Sequence, residues 1–550
     1  MRDFPNPEMH NTSCCRNPLP RRSTRSCLAH RNPRWPSTMA LSLTPDAPSP
    51  RCKPAQLFPQ CRKSIFRPIR HARFPSRRRW QSLGWLLISC LPAALYAAPA
   101  LAKQHVDLLV VHGTVVTMNG NHRILENGAI AVQGDAIAAI DATANIEAMY
   151  VSDKVIDAHG GILLPGLINA HTHMSMSLFR GLADDLSLDD WLNKYIFPAE
   201  HRYVTRDFVT WSTRLSLLEM VRGGTTTVAD MYYFEDDVAE ATKAAGMRGV
   251  LGETLIGFPS PDSETPAAAL TYTERFLKHW KGDPLITPAV APHSIYTCSE
   301  TLLKDAAALA QSNQAPLLIH LAEAPFEIEK SRHEHGLTTV QYLARIGLLG
   351  PNVLGAHCVW LDQADVQTLA HFGVGCSFNP SSNMKTAAGL MPAVELLAAG
   401  VAVGLGTDGA ASNNNQDMFE EMDLAAKEQK FARMDPKALP AAQVVEMATI
   451  TGARALHLER QIGSLEVGKK ADLIVVDTSY AHATPMYDVY SAIVYALKSS
   501  DVRTTIVGGK VLMEDRRMLT LDEPAILAKA AEYAKQIDAS FGANKRPAGR

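Results

Sequence analysis

Eight short apolar runs, separated by helical patterns, set the limits on what this chain can fold into. They occupy residues 162–173, 225–230, 249–254, 286–293, 316–323, 353–359, 373–379 and 401–408. Each has the length and apolar content of a strand buried on both faces. Between most of them apolar residues recur at helical spacing, as in 208–221, 300–311, 340–346, 362–371 and 392–399. Eight strand–helix units over about 250 residues match the size of a (β/α)8 barrel. A doubly wound open sheet is the competing arrangement, but its glycine-rich nucleotide fingerprint is missing after the first run. The expected fold class is α/β, a TIM barrel.

The flanks read differently. Residues 105–160 alternate short β-rich runs with turn signals such as Asn119-Gly120 and Gln133-Gly134-Asp135. Residues 463–515 carry similar runs, for example Asp472-Leu-Ile-Val-Val-Asp477. One small β-unit assembled from both ends of the chain is expected. The resulting division is a β-sandwich part at 103–160, a barrel at 161–460, the second sandwich part at 461–520, and a C-terminal helix and tail at 521–550.

Upstream lies a basic leader. Residues 1–80 hold 15 Arg and 2 Lys against 3 acids, so the formal charge of −2 balances a basic leader against an acidic remainder. That remainder argues against nucleic acid as a partner. Residues 1–75 have no hydrophobic period and are expected to be disordered, or to precede the true start, with Met39 one alternative. Residues 76–102 have the form of an export signal. Arg77-Arg78-Arg79 precedes an apolar stretch too short to span a membrane comfortably, and Ala100-Leu-Ala102 fits a cleavage site. A periplasmic location follows as an expectation, by a Sec or twin-arginine route, with a lipid anchor at Cys90 the minor alternative and a cytoplasmic location if the signal reading fails. Only Cys298, Cys358 and Cys376 of the nine cysteines fall after the leader, too few for a disulfide framework.

Barrel enzymes carry their chemistry at the C-terminal ends of the strands. Here those ends read His171 and His173, Asp230, Glu253, His293, His320 and Glu323, His357, Asn379 and Asp408. His171 and His173 are two apart on a strand, so both project to one side. Together with His320 and Asp408 they form a set of three imidazoles and one carboxylate. That set suits one divalent first-row ion, zinc or else iron, with room for water. Such an ion lowers the pKa of water from about 16 towards about 7. Glu323 is then a candidate proton shuttle, or else a carboxylate at a helix N-terminus. His357 is placed to orient the water or polarise the reacting carbon, or is a buried histidine satisfied by backbone.

Several segments carry a resemblance. They include Pro165-Gly-Leu-Ile-Asn-Ala-His-Thr-His173, Gly223-Gly-Thr-Thr-Thr227, Pro292-His-Ser-Ile-Tyr-Thr-Cys298, His320-Leu-Ala-Glu323, Gly355-Ala-His-Cys358, Asn379-Pro-Ser-Ser-Asn383 and Gly406-Thr-Asp-Gly-Ala410. In order and spacing the chain resembles the amidohydrolase superfamily, in the branch of 5-methylthioadenosine/S-adenosylhomocysteine deaminases, guanine deaminases and triazine hydrolases. The resemblance implies a single metal held by His171, His173, His320 and Asp408, because His293 stands where a carboxylated lysine would be in two-metal relatives. It implies Glu323, His357 and Asp408 as catalytic groups, and Glu200 and His293, with Glu323 and Asp408, as substrate contacts. Hydrolytic deamination of an amino-substituted purine nucleoside is expected, namely 5-methylthioadenosine, S-adenosylhomocysteine or adenosine. The alternative is hydrolysis of a triazine-type ring bearing amino or chloro groups. The partner is a small molecule, and self-association is common among such proteins. One departure is His320-Leu-Ala-Glu323, where many of those deaminases read His-x-His-Glu.

Overall fold

The structure, a computed structural model, describes residues 102–541. The extension 1–75, the export signal up to residue 101, the anchor alternative at Cys90 and the tail 542–550 lie outside the described residues. Among the described residues no helix is long and apolar enough to cross a membrane.

Eight parallel strands lie side by side in chain order: β1 (Leu167–Thr172), β2 (Thr225–Tyr232), β3 (Arg248–Leu255), β4 (Ile286–Pro292), β5 (Leu317–Leu321), β6 (Val353–His357), β7 (Gly375–Phe378) and β8 (Val403–Leu405). Helices cover their outer side, beginning with Arg206–Arg222, whose N-cap Thr205 accepts from the Phe208 amide. The centre of the ring is filled by small and branched side chains, among them Ile168, Ala229, Val250, Ala289, Leu318 and Leu354. This is the TIM barrel that the pattern of runs predicts.

β1 and β8 are the two ends of the hydrogen-bonded order. Asn169 joins them: its buried side chain donates to Thr407 Oγ1 at 2.7 Å and accepts from the Thr407 amide at 3.1 Å. One turn further, the Asp408 amide donates to the His171 carbonyl at 2.9 Å. The ring therefore closes at the level of the candidate site.

The run at 162–173 is not one barrel strand but two strands in two sheets. Ile162–Pro165 pairs antiparallel with Leu473–Val476 and parallel with Leu108–Val116. Only Leu167–Thr172 enters the barrel. The break falls at Gly166, where a Cβ would lie 2.1 Å from Thr226 Oγ1. The terminal segments form one hydrogen-bonded sheet of nine strands with Ile162–Pro165 in its middle. Strand alternation divides its side chains. Leu163, Leu473 and Val475 fill the sheet's own core with Leu108, Val110 and Ile130. Ile162, Leu164, Ile474 and Val476 belong to the large core shared with the barrel.

Arg248, at the start of β3, fastens the two parts together. Its Nε and Nη2 meet Asp472 at 3.0 and 3.2 Å, and both side chains are at most 5% exposed. Asp472 also accepts from the Gly508 amide at 2.7 Å. The C-terminal helix Glu523–Phe541 packs on Arg206–Arg222, with the Tyr533 hydroxyl donating to Asp207 at 2.6 Å. Removing one partner of a buried ion pair leaves the other charge uncompensated. Asp472→Ala is expected to cost about 3–5 kcal/mol, seen as a lower thermal unfolding midpoint with the barrel and terminal sheet melting less cooperatively.

Candidate metal centre and active site

The strand ends bring five imidazoles and two carboxylates together. His173 Nδ1 lies 2.7 Å from the Met231 carbonyl, and His320 Nδ1 lies 2.9 Å from the His293 carbonyl. A carbonyl only accepts, so each Nδ1 carries the proton and each Nε2 presents a lone pair. These two Nε2 atoms face one another at 3.2 Å, with no proton to place between them. His171 Nε2 is buried in the same space and makes no short hydrogen bond among the described residues. Lone pairs so converged need a cation, and ring nitrogens tied back to carbonyls are the usual support of metal-binding histidines.

His171, His173 and His320 offer ligand atoms within 4.8 Å of one another, and so do His171, His357 and Asp408. Asp408 Oδ1 stands 3.5 Å from His171 Nε2 and 3.4 Å from His173 Nε2. Burial keeps His171 and His320 neutral, pushing His171 down to about 4 and His320 well below its ordinary value. Burial alone would raise Asp408, but the adjacent imidazoles of His171, His173 and His357 hold it well below the usual carboxylate range. Its Oδ2 also accepts from Ser382 at 2.6 Å and Ser412 at 2.9 Å. The donor chemistry fits one divalent ion.

Glu323 and His357 stand beside this cluster, with Glu323 Oε1 3.7 Å from His357 Nε2. Both are buried. Burial raises Glu323 above the ordinary carboxylate range. Its position is imposed by Glu327, whose carboxylate accepts from the Ala322 and Glu323 amides at 2.9 Å each and holds Ala322 in the left-handed region. His357 is oriented from behind by Asn383 Oδ1 at 2.9 Å. His357 and Asp408 are themselves left-handed, at φ 73° and 62°. Such non-glycine conformations cost about 1 kcal/mol or more each and gather at functional sites.

The cluster forms the floor of a cavity of about 600 Å³, its open mouth included. One wall comes from residues 188–203, where Leu188, Trp191, Leu192, Ile196 and Phe197 face the space together with Glu200. Part of that wall, Leu192–Ile196, is a π-helical turn, a form found often at functional sites. His293 lines the opposite side, its Nδ1 3.1 Å from Ser294 Oγ and 3.0 Å from Thr297 Oγ1. Every residue singled out as a metal, catalytic or substrate candidate therefore reaches this one cavity or its floor. Asp230 and Glu253 do not. Asp230 accepts from the Met174 amide and Glu253 from the Glu235 amide, in a separate buried group of carboxylates. Glu327 and Ser412 were not singled out in the sequence, and Ser382 and Asn383 stood only within a recognisable motif without a role, because no spacing links them to the residues they hold.

A model of the amidohydrolase family matches residues 162–512. The chain belongs to the amidohydrolase family. It is similar to the 5-methylthioadenosine/S-adenosylhomocysteine deaminase of Syntrophobacter fumaroxidans, at 47% identity over 437 residues, covering 80% of this chain and 100% of that one. It is similar to the 5′-deoxyadenosine deaminase of Methanosarcina barkeri, at 45% identity over 433 residues, covering 78% and 98%. Among solved structures it resembles an adenosine deaminase from Xanthomonas campestris with bound zinc, at 36% identity and a TM-score of 0.78, covering 79% of this chain and 99% of that one.

For this amidohydrolase, chelation followed by titration with a divalent first-row ion is expected to restore one equivalent of bound metal. His320→Ala should bind well below one equivalent by metal analysis, whereas Glu323→Gln should bind the full equivalent.

Proposed function

We propose that this amidohydrolase replaces the amino group of an adenine nucleoside by oxygen from water, releasing ammonia, with 5-methylthioadenosine, 5′-deoxyadenosine, S-adenosylhomocysteine and adenosine as the candidate substrates. The observation that carries the reading is a buried carboxyl of raised pKa, Glu323, set beside a convergent imidazole cluster at the floor of an apolar cavity. The names of the relatives at 44–47% identity support the substrate class.

His171, His173, His320 and Asp408 would hold the ion, and zinc is the metal proposed, on the donor set of neutral imidazoles and one carboxylate. When bound, it supplies Lewis acidity that makes water a usable nucleophile near neutral pH. Glu323 keeps its proton at higher pH than an exposed glutamate and faces the cavity, so it can deliver that proton to the ring nitrogen beside the amino-bearing carbon. His357, steered by Asn383, points Nε2 towards Glu323 and positions the water. Asp408, ionised in the resting site, accepts one proton of the water and passes it to the departing nitrogen, while the second proton of that water returns to Glu323 as the oxo product forms. The amino group leaves only once protonated, as ammonia, whereas chloride leaves as the anion. A site in which Glu323 and Asp408 together carry protons to the ring and to the departing nitrogen therefore favours deamination over dechlorination. The apolar wall at 188–203 matches a planar purine, and Glu200 offers its carboxylate to the sugar hydroxyls.

Ammonia release from adenine nucleosides, together with the spectral change to the oxo product, tests the reading; no release from any of them overturns it. Glu323→Gln should lower kcat by about 10²–10⁴-fold. Burial raises Glu200 to about 7, against the lowering effect of the Tyr232 hydroxyl. The ionised form accepts hydroxyls more strongly, so KM is expected to fall as pH rises through about 7, and Glu200→Gln should flatten that profile.

A further inference from the structure

Glu200 hangs from one hydrogen bond. The Tyr232 hydroxyl donates to its Oε1 at 2.8 Å, and Tyr232 is the hydrogen-bond partner found for this carboxylate among the described residues. Both side chains are at least 95% buried and both line the cavity. Burial holds the Tyr232 phenol well above its ordinary pKa, so it remains a donor at any working pH. Tyr232 is itself fixed. It is the last residue of β2, and its amide donates to Glu235 Oε1 at 3.0 Å. Glu235 is held in turn by Glu253, which accepts from the Glu235 amide at 3.1 Å. The buried carboxylates that stand apart from the metal cluster thus anchor the residue that aims Glu200. On its other side the Tyr232 ring lies 6.4 Å from that of His173, so one side chain spans the distance between the candidate metal floor and the candidate sugar contact.

We infer that Tyr232 is a positioning residue that sets the preference for nucleosides bearing a 2′,3′-diol, by occupying one oxygen of Glu200 and turning the other towards the sugar. A free carboxylate would spread its acceptors over several rotamers. A tethered one presents a single acceptor in a fixed place, which rewards two adjacent hydroxyls and gives nothing to a sugar lacking them. The inference rests on the reading of Glu200 as the sugar contact.

Its test uses the metal-loaded enzyme with 5′-deoxyadenosine and the analogue lacking both 2′ and 3′ hydroxyls. Tyr232→Phe keeps the ring and removes only the donor. For 5′-deoxyadenosine KM should rise about tenfold, the size of one charged hydrogen bond, with kcat changed less than about twofold. For the dideoxy analogue neither constant should move. Equal losses on both substrates would mark Tyr232 as merely structural and overturn the inference. So would an unchanged diol preference in Tyr232→Phe when Glu200→Gln has lost it. A wild-type enzyme without diol preference, or Glu200→Gln that keeps it, would instead overturn the reading of Glu200 beneath. No turnover of either nucleoside by the wild-type enzyme would overturn the proposed activity itself.

Discussion

The site depends on how the ring of strands is closed. β8 is three residues long, and the seam with β1 is made by the Asn169 side chain on Thr407 and by the Asp408 amide on the His171 carbonyl. The same two hydrogen-bonding residues at the last seam, His171 and Asp408, are a candidate imidazole ligand and the candidate carboxylate ligand. Closure and assembly of the cluster are therefore one event. Without the seam, the first and eighth strands have no reason to lie at a separation that one ion can bridge.

Around that seam the side chains are held from behind rather than by each other. Met231 and His293 carbonyls take the outer nitrogens of His173 and His320, Asn383 takes that of His357, and Ser382 and Ser412 hold Asp408. Each backing group sits on a strand or in the turn or short helix that follows one. The inner atoms are left free to face a ligand; burial keeps His171 and His320 uncharged, and the imidazoles around Asp408 keep it ionised against burial. Glu327 does for Glu323 what the carbonyls do for the histidines, through the backbone rather than the side chain.

How much of this could be read in the chain follows from which interactions are local. A histidine or aspartate that ends an apolar run is visible, because strand length and the barrel's polarity tell where it must emerge. His171, His173, His320, His357 and Asp408 were legible for that reason. Glu200 and His293 became legible only through a family resemblance, since neither a helix carboxylate nor a strand-end histidine declares a substrate. Asp230 and Glu253 obey the same strand-end rule and yet turn away into a buried carboxylate group, where they accept from the backbone amides of Met174 and Glu235. The split at Gly166 was hidden by composition: both sheets bury both faces of their strands there, so no change of period marks the crossing. Tyr232, Asn383 and Glu327 act on partners fixed by tertiary structure, so that even Asn383, which ends a recognisable segment, shows no link to His357 in the chain.

The sharing of one apolar run between two sheets orders events during synthesis. Ile162–Pro165 emerges early from the ribosome, but its antiparallel partner Leu473–Val476 is made only after the whole barrel. Until then the middle of the terminal sheet has an open edge, and Asp472 has yet to reach Arg248. The nascent chain must keep that edge from other strands until the barrel has been made, and Leu473–Val476 is the latch that ends the exposure.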